Sequence, residues 1–480
     1  MSANFLHGVE TVILNKGPKP VRGVKSAVIA IVGTAPMLDV AAANRTLNSP
    51  QLILNDRDAA KYFGADRAGF TIPQALSAIF AQGNGPICVV VNALDPATDT
   101  TVIASEVVAK AADGTFKFAQ PNVSSVTVTL PATCVLGTDY TIDAANGIIS
   151  RVEVSTKITT ATASITVGYT YLDPAKCLAA DIVGSTDVNG NRLGLLALKD
   201  CYAKFGFFPK IIICPGFSST AAVLTQMDSV AASIRAIAIA DLAAGTTVAA
   251  AITSRGAGGA ANSSSKRLVF CYPYVKRYNT TTAAEETVPY SQFYAGVLAA
   301  KDMANGYWWS PSNTEIKGIT GVERQLTAMI NDPTSEVNTL NEVGITTIFN
   351  SFGTGYRVWG NRSASFPAYT DSCNFVSVQR TADMIHESVE YSMLQFIDYP
   401  TNQALIDSIS ESVNVFIRTL VGRGALIDGK CWYDPADNPA VQISAGQLVF
   451  TIDYMPPVPA ERITFKSFIN IDYLKQLGGK

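Results

Sequence analysis

The chain is short of charge, short of histidine and free of unbroken hydrophobic runs, and each shortage removes a class of function. Asp, Glu, Lys and Arg make up 16% of the 480 residues, against about 25% in an ordinary soluble domain. The net charge is −3, so no basic footprint argues for nucleic acid and no polybasic run for an anionic membrane surface. The most apolar windows, "SAVIAIVGTAPMLDVAAA" and "ASIRAIAIADLAAGTTVAAA", are interrupted by Pro36 and Asp39 and by Arg235 and Asp241. They fall well short of the ~20 clean residues of a membrane span. The opening "MSANFLHGVETVILNKG" has no basic start, long apolar core or small-residue cleavage site, so cytosolic synthesis is expected.

Catalytic chemistry is equally thin. The two histidines are His7 and His386, so any Ser-His-Asp or Cys-His arrangement depends on one of them. Neither HExxH nor GxSxG occurs. His386, with Asp383, Glu387 and Glu390 near it, could imitate a metal or acid-base cluster, because i, i+3 and i+4 neighbours share a helix face. With no second ligand at a known spacing, a solvated or interfacial helix face is the expectation. The eight cysteines are scattered, no two closer than Cys201 and Cys214, which excludes CxxC sites and predicts reduced, mostly buried thiols.

Glycine is where a ligand site is most strongly suggested. "NSFGTGYRVWGNRSAS", residues 350 to 365, resembles a phosphate-cradling loop at first sight. A dinucleotide fingerprint needs a third glycine where Val358 stands, and it must open a helix. A P-loop needs Lys and Ser/Thr where Asn361 and Arg362 stand. "GITTIF" before and "YRVWG" after are rich in β-formers, so the segment reads as strand, turn at Gly353 and Gly355, strand. Tyr356, Val358 and Trp359 are then packing residues, and no nucleotide, metal or other cofactor is expected.

What is present is an α/β pattern broken by a different module. "TIPQALSAIFAQGNGPICVVV" predicts a helix with Pro73 in its first turn, one face carrying Leu76, Ile79 and Phe80, then a buried strand from Ile87 to Val91. From about 97 to 176 short Thr/Val-rich strands take over ("SSVTVTL", "DYTIDAANGIIS", "RVEVSTKITT", "ASITVGYTY"), with Asn146-Gly147 as a hairpin signal. Alternation then resumes in "KIIICPGFS", "TAAVLTQMDSVAASI", "RAIAIADL", "TTVAAAITSRG" and "KRLVFCYPYV", which predicts parallel strands with helices between. Later, on either side of Pro400, come two helices. The second is capped at Thr401 or Asn402, carries Leu405, Ile406, Ile409, Val413, Phe416, Ile417 and Leu420, and is closed by Gly422 and Gly424.

Strands finish the chain: "GQLVFTIDYM", a stiff "PPVP" joint, and "RITFKSFINIDYL". In the last, Ile463, Phe465, Ile469, Ile471 and Tyr473 alternate onto one face. "VETVIL" at the front, with Val9, Val12, Ile13 and Leu14, is its counterpart behind a "GPKP" joint. The fold class expected is therefore α/β (α+β) and multidomain. Its parts are an extension at 1–25, a core at 26–96 and 177–455, an inserted all-β domain at 97–176, and a strand arm at 456–480.

At this level of detail the residues resemble a family. "VPYSQFYAGVLAAKDMANGYWWSPSNTEIKGITGVE", followed by "LNEVGITTIFNSFGTGYRVWGNRSAS", is similar to the central signature of contractile tail sheath proteins of bacteriophages and R-type bacteriocins. "FVSVQRTADMIHESVEYSMLQFIDYPTNQALIDSISESVNVFIRTLVGRGALIDGKCWYD" and "VPAERITFKSFINIDYL" resemble that family's C-terminal region and closing strand. "HGVETVILNKGPKPVRGVKSAVIAIVGTAP" is similar to its opening arm and first core strand; together these stretches cover most of 1 to 95 and 200 to 480, while 97–176 lies outside the match. The resemblance implies a non-enzymatic subunit of hexameric rings, stacked around a tail tube, that contracts from a metastable lattice to drive the tube through a bacterial envelope. Partners implied are other copies of the chain, the tail tube protein, and baseplate and terminator proteins, in a virion tail assembled in the host cytoplasm. Nucleic acid and membrane insertion are not implied. Two rival readings are the sheath of another contractile injection system and an α/β hydrolase built around His386.

Because both glycine patterns fail at the positions that would do the chemistry, calorimetry with millimolar ATP or NAD should show no binding heat. A dissociation constant below about 10 μM, roughly −7 kcal/mol, would overturn the structural reading of residues 350 to 365.

Overall fold

The computed structural model describes residues 21, 23–83, 85–280, 282–350 and 353–477. Its centre is an eight-stranded sheet. The chain enters it through β1 (Val28–Gly33), passes β2 (Gln51–Ile53), α1 (Asp56–Phe63) and α2 (Thr71–Ala81), and returns through β3 (Ile87–Asn92). β1 is buried at every residue and β3 at all but its first. Such runs suit strands covered on both faces. Helix α2 starts two residues before Pro73 and buries Leu76 and Ile79, as its spacing predicts.

Six strands then form the inserted module: β4 (Thr100–Ala109), β5 (Phe116–Lys117), β6 (Val123–Leu130), β7 (Tyr140–Asp143), β8 (Ile148–Arg151) and β9 (Ser164–Leu172). They make two three-stranded sheets, β4-β9-β6 and β5-β8-β7, around a cluster of their own that includes Phe116, Ile149, Val167 and Tyr169. The hairpin at Asn146-Gly147 forms, with Asp143 opposite Ile148. "RVEVSTKITT" does not continue as a strand: β8 ends at Arg151 and the chain turns, because Ser155 Oγ and the Asp139 carboxylate gather the backbone of 155–158 into a local knot. The module's two ends meet where the Asp173 amide donates to the Asp99 carbonyl at 2.9 Å. Buried Asn122 ties it to the core: it accepts from the Leu38 amide at 3.2 Å and donates to Asp39 at 2.9 Å, and Arg67 bridges Asp39 to Asn146.

After α3 (Ala179–Val183) and α4 (Cys201–Phe205), the alternation resumes as β10 (Ile211–Ile213), α5 (Ala221–Ser233), β11 (Ile237–Asp241), α6 (Val248–Arg255) and β12 (Leu268–Cys271). The expected single strand "KRLVFCYPYV" is divided at Tyr272-Pro273, where a missing N–H ends the ladder. Its second half, β13 (Val275–Asn279), joins β14 (Ala284–Val288) and β15 (Gly321–Val322) in a separate small sheet. Then follow α7 (Ser291–Asn305), α8 (Glu336–Glu342), β16 (Ile345–Phe349) and β17 (Arg357–Trp359). The large sheet runs β17-β16-β12-β11-β10-β1-β3-β2. Its interior pairs are parallel and its two edge strands antiparallel.

The last third contains α9 (Val376–Met393), α10 (Gln403–Gly422), β18 (Asp428–Tyr433), α11 (Ala440–Ser444) and β19 (Phe450–Met455). Asn402 is the α10 cap, accepting from the Leu405 amide at 2.8 Å. All of the predicted stripe is buried except Ile409, which is half-buried. Its Val413, Phe416, Ile417 and Leu420 join Ile385, Ala425 and Cys431 in a third cluster beneath the β18-β19 pair. "GQLVFTIDYM" becomes strand only at Phe450, since Asn438 holds the Val449 amide and carbonyl. Cysteines are buried apart from half-buried Cys373, and burial pushes the Cys431 thiol up to about 11. No described helix is long and apolar enough to cross a membrane.

Since the module's ends are adjacent and its cluster is separate, replacing residues 100–172 with a short Gly/Ser linker should leave a core that folds and melts cooperatively. A replaced chain that is insoluble or melts without a transition would show that the core depends on the module.

Candidate assembly surfaces

In an open α/β sheet a ligand crevice lies at the carboxyl ends of the strands where strand order reverses, here between β1 and β10. That place is filled. The Thr34 amide donates to Thr71 Oγ1 at 3.1 Å and the Thr71 amide to Thr34 Oγ1 at 3.2 Å. A Cβ on Gly33 would lie 2.2 Å from Thr71 Oγ1. The α2 N-terminus is therefore used internally. Asp241, at the end of β11, likewise accepts from the Ser291 amide that opens α7, at 2.7 Å. Burial pushes its carboxyl up to about 6.

The glycine segment lies at the sheet's edge. β16 and β17 form the expected antiparallel hairpin, with Ile348 opposite Val358. Gly353 and Gly355 have φ of 69° and 76°, a left-handed backbone that glycine adopts without strain. Val358 is fully buried and Trp359 stacks on Phe349 at 4.4 Å. Tyr356 packs half-buried against the main cluster. Arg362 is the residue whose part the sequence did not reveal. Its guanidinium lies 4.4 Å from the Phe366 ring and 4.0 Å from Phe375, donates to Asn374 at 2.6 Å, and forms a two-point pair with Glu461. It holds the root of the C-terminal segment against the core.

His386 and the carboxylates near it are engaged with neighbouring side chains. Its Nε2 meets the Tyr454 hydroxyl at 3.0 Å, and burial, with Arg235 adding to it, holds its pKa below the ordinary histidine value. Each carboxylate near it already has a cation. Asp383 takes both nitrogens of Arg267 at 2.7 Å, Glu387 takes Lys210, and Glu390 takes Arg235. Lys210, Arg235 and Arg267 sit just before β10, β11 and β12 respectively. One turn earlier, Arg380 binds Asp302 of α7 at 2.7 Å and reaches the Ser26 carbonyl. Residues 380, 383, 387 and 390 share one helix face. That face lies across the amino ends of the parallel strands. Among the described residues no group of His, Cys, Asp and Glu could hold a metal.

The C-terminal segment departs from expectation. Residues 456–470 belong to no helix or strand, and Ile471–Gln476 closes into a 3-10 turn, so none of Ile463, Phe465, Ile469, Ile471 and Tyr473 is in a strand. A strand needs a partner to hydrogen-bond with, and the single chain offers this segment none. Its apolar side chains stand in solvent: Phe465 is 90% exposed and Ile469 96%, with Ile463, Ile471 and Tyr473 at about 70% each. The root of the segment and Trp308, Trp309 and Phe366 border a groove of about 1390 Å³. Val9, Val12, Ile13 and Leu14 lie outside the described residues. The segment entering β1 runs along α9, where the Val24 amide donates to Ser388 Oγ at 3.3 Å and Val21 packs on the third cluster.

Comparison with known proteins gives these surfaces a context. Residues 194–364 match the family model "phage tail sheath protein central domain" and 369–470 match "phage tail sheath C-terminal domain". Residues 93–180 match a family described as a protein of unknown function. The tail sheath protein of Burkholderia phage BcepMu is 46% identical over the full length of both chains. Among solved structures, the sheath of an extracellular contractile injection system in its contracted state superposes with TM-score 0.61 at 15% identity, covering 98% of this chain and 100% of that one. The contracted helical sheath of the anti-feeding prophage gives 0.59 at 16%, with the same coverage.

The side chains of Lys210 and Glu387 are 2% and 7% exposed, so removing one leaves the other's charge buried. Glu387→Ala should lower the unfolding free energy by about 3–5 kcal/mol, measured by urea titration. Glu390→Ala, at the exposed rim, should cost under about 1 kcal/mol. Equal losses would mean that α9 is not docked by its buried charges.

Proposed function

The chain belongs to the phage tail sheath family, and we propose that it polymerises as stacked hexameric rings around a tail tube, in an extended metastable state that contracts to drive the tube through the bacterial envelope. Full-length identity to a phage tail sheath favours a virion tail, with genome ejection as the outcome. The tail tube, baseplate and terminator proteins are the other partners. The work requires no catalysis, cofactor or nucleotide. Its free energy is the difference between two packings of the same subunits.

One observation carries this reading: an alternating apolar arm, rooted firmly by Arg362 and Glu461, whose own chain leaves it uncovered. Such an arm gains its ladder and buries its apolar face by adding to a sheet of a neighbouring copy. About four to six main-chain bonds at ~1 kcal/mol net each, with burial of Ile463, Phe465, Ile469 and Ile471, make each link worth several kcal/mol. Links that do not close on themselves propagate into a helical lattice. We expect the N-terminal segment around Val9–Leu14 to act in the same way, so that each subunit is joined to its neighbours at both ends.

Deleting residues 462–480, or 1–16, should leave a monomer with wild-type circular dichroism and melting that forms no cylinders in electron micrographs. Normal long cylinders from either truncated chain would sink strand exchange by that arm.

A further inference from the structure

From the way α7 is seated on the end of β11 we propose that Asp241 is a proton-operated latch: a proton taken up by its carboxyl holds the first turn of α7 closed, and loss of that proton loosens it. The latch lies within one chain and needs no assembly.

Asp241 is the last residue of β11 and is 2% exposed. Its carboxylate accepts from the Ser291 amide at 2.7 Å and from the Ser291 hydroxyl, so it caps the start of α7 from another element. The buried carboxylates of Asp302, Asp383 and Glu387 each have a cation, whereas among the described residues Asp241 forms no ion pair.

The groups around it are neutral ones. Ser218, in the turn after β10, accepts from the Asp241 amide at 3.0 Å. Cys271 ends β12, Tyr272 and Tyr274 follow it, and Tyr290 precedes α7 with Tyr294 one turn on. Burial pushes each of these thiol and phenol groups up, so none of them ionises below pH 8. The charged residues on the β15 side are Glu323, whose carboxylate accepts from the Gly245 amide at 2.7 Å, and Arg324, which faces Tyr272.

The two ends of α7 are unlike. Its far end is tied down by Asp302, which pairs with Arg380. Its first turns bury, besides the carboxylate, the Gln292 amide and the Tyr294 hydroxyl, neither of which has a hydrogen-bond partner among the described residues. Unsatisfied buried groups cost free energy, so α7 opens most readily from this end. A cavity of about 90 Å³ lined by Ser218, Thr246 and Asp241 adjoins it, with room for water to exchange a proton with the carboxyl.

Burial moves the Asp241 carboxyl from its ordinary value of 3.8 up to about 6, against the bonds from Ser291, Tyr290 and Ser218 that hold the charge. A carboxyl raised in this way binds its proton more tightly in the folded state than in the unfolded one. Its contribution to stability therefore improves as pH falls from 8 through 6, and the penalty is gone below 3.8. The protonated form keeps its seat, since the serine hydroxyls can rotate to accept its proton while Oδ1 still accepts from the Ser291 amide.

Urea unfolding of the full chain at pH 5 and pH 8, at constant ionic strength, tests the latch against Asp241→Asn, a neutral side chain of the same shape. His386 titrates in the same window, so the reading is the difference between the two chains. The folding constant of the wild type relative to Asp241→Asn should rise about tenfold from pH 8 to pH 5. Equal pH dependence in both chains would overturn the latch. In the wild type alone, hydrogen exchange of residues 290–295, corrected for the intrinsic rate, should be several-fold slower at pH 5 than at pH 8, with residues 403–422 of α10 changing less. Protection that does not rise would overturn it even if Asp241→Asn proved unfolded. A stability that follows sodium or potassium at constant pH and ionic strength, and is lost in Asp241→Asn, would assign the cavity to a metal ion and likewise overturn it.

Discussion

The charged face of α9 is the interaction on which the rest of the chain depends. Asp383 and Glu387 are 2% and 5% exposed, and Arg380 3%, so the helix carries ions into a place where water cannot solvate them. Desolvating an ion pair can offset its Coulomb attraction, so such pairs are poor evidence of stability for its own sake. They do define position. A carboxylate displaced by one helical turn from Arg267 or Lys210 would be left buried and uncompensated, so only one docking of α9 on the strand ends satisfies every charge. α9 shares the third cluster with α10, on which the β18-β19 pair packs, and the segment entering β1 runs along it. The register of these ion pairs therefore also fixes where the β18-β19 pair stands relative to the core.

With that position fixed, the chain's polar main-chain groups divide into closed and open sets. The large sheet ends in short antiparallel strands, Gln51–Ile53 at one side and Arg357–Trp359 at the other, and short edge strands discourage further pairing. The Asn414 side chain covers β18 by bonding both main-chain groups of Cys431. Among the described residues 456–470 joins no ladder, and its main-chain bonds are local ones, from the Glu461 amide to the Pro459 carbonyl at 2.9 Å and from the Tyr473 amide to the Asn470 carbonyl at 3.4 Å. A low proportion of charge fits the same division, since a subunit with many neighbours has less surface to keep in water.

Much of this was legible in the sequence where the signal is local. The parallel strands follow from buried runs such as "VIAIVG" and "ICVVV"; α10 follows from its cap, stripe and closing glycines; the hairpins follow from Asn146-Gly147 and from Gly353 and Gly355. The docking of α9 was not legible. Asp383 and Glu387 were visible as one helix face, but their cations are Arg267 and Lys210, more than a hundred residues away, and nothing local ties them together. Arg362 was hidden for the same reason, its partners being Phe375 and Glu461. The arm's alternation predicts a strand with one apolar face, yet strand is a property of two segments, and in the isolated chain 456–470 belongs to no strand and is followed by a 3-10 turn. Asn414 carries no signal in the sequence; in the structure its side chain accepts from the Cys431 amide at 2.7 Å and donates to the Cys431 carbonyl at 2.8 Å. Its importance appears only when the main-chain bonds of Cys431 are followed to their partners.

These features also set what a link between subunits can bear during contraction. A ladder of main-chain bonds loaded along the strand shares the force among all its bonds at once, whereas a side-chain contact at a sliding interface is lost after a displacement of a few ångström. The proline joint at 456–459 has few accessible conformations, so little slack lies between β19 and the arm. Arg362 and Glu461 remove more of it by fixing the arm's root. Under the proposed strand exchange, an arm tied in this way would carry the rotation of one subunit directly into a neighbour's sheet. The surfaces between subunits would then exchange one packing for another while the main-chain connections persisted, and the motion of a contracting stack would lie at the interfaces between cores.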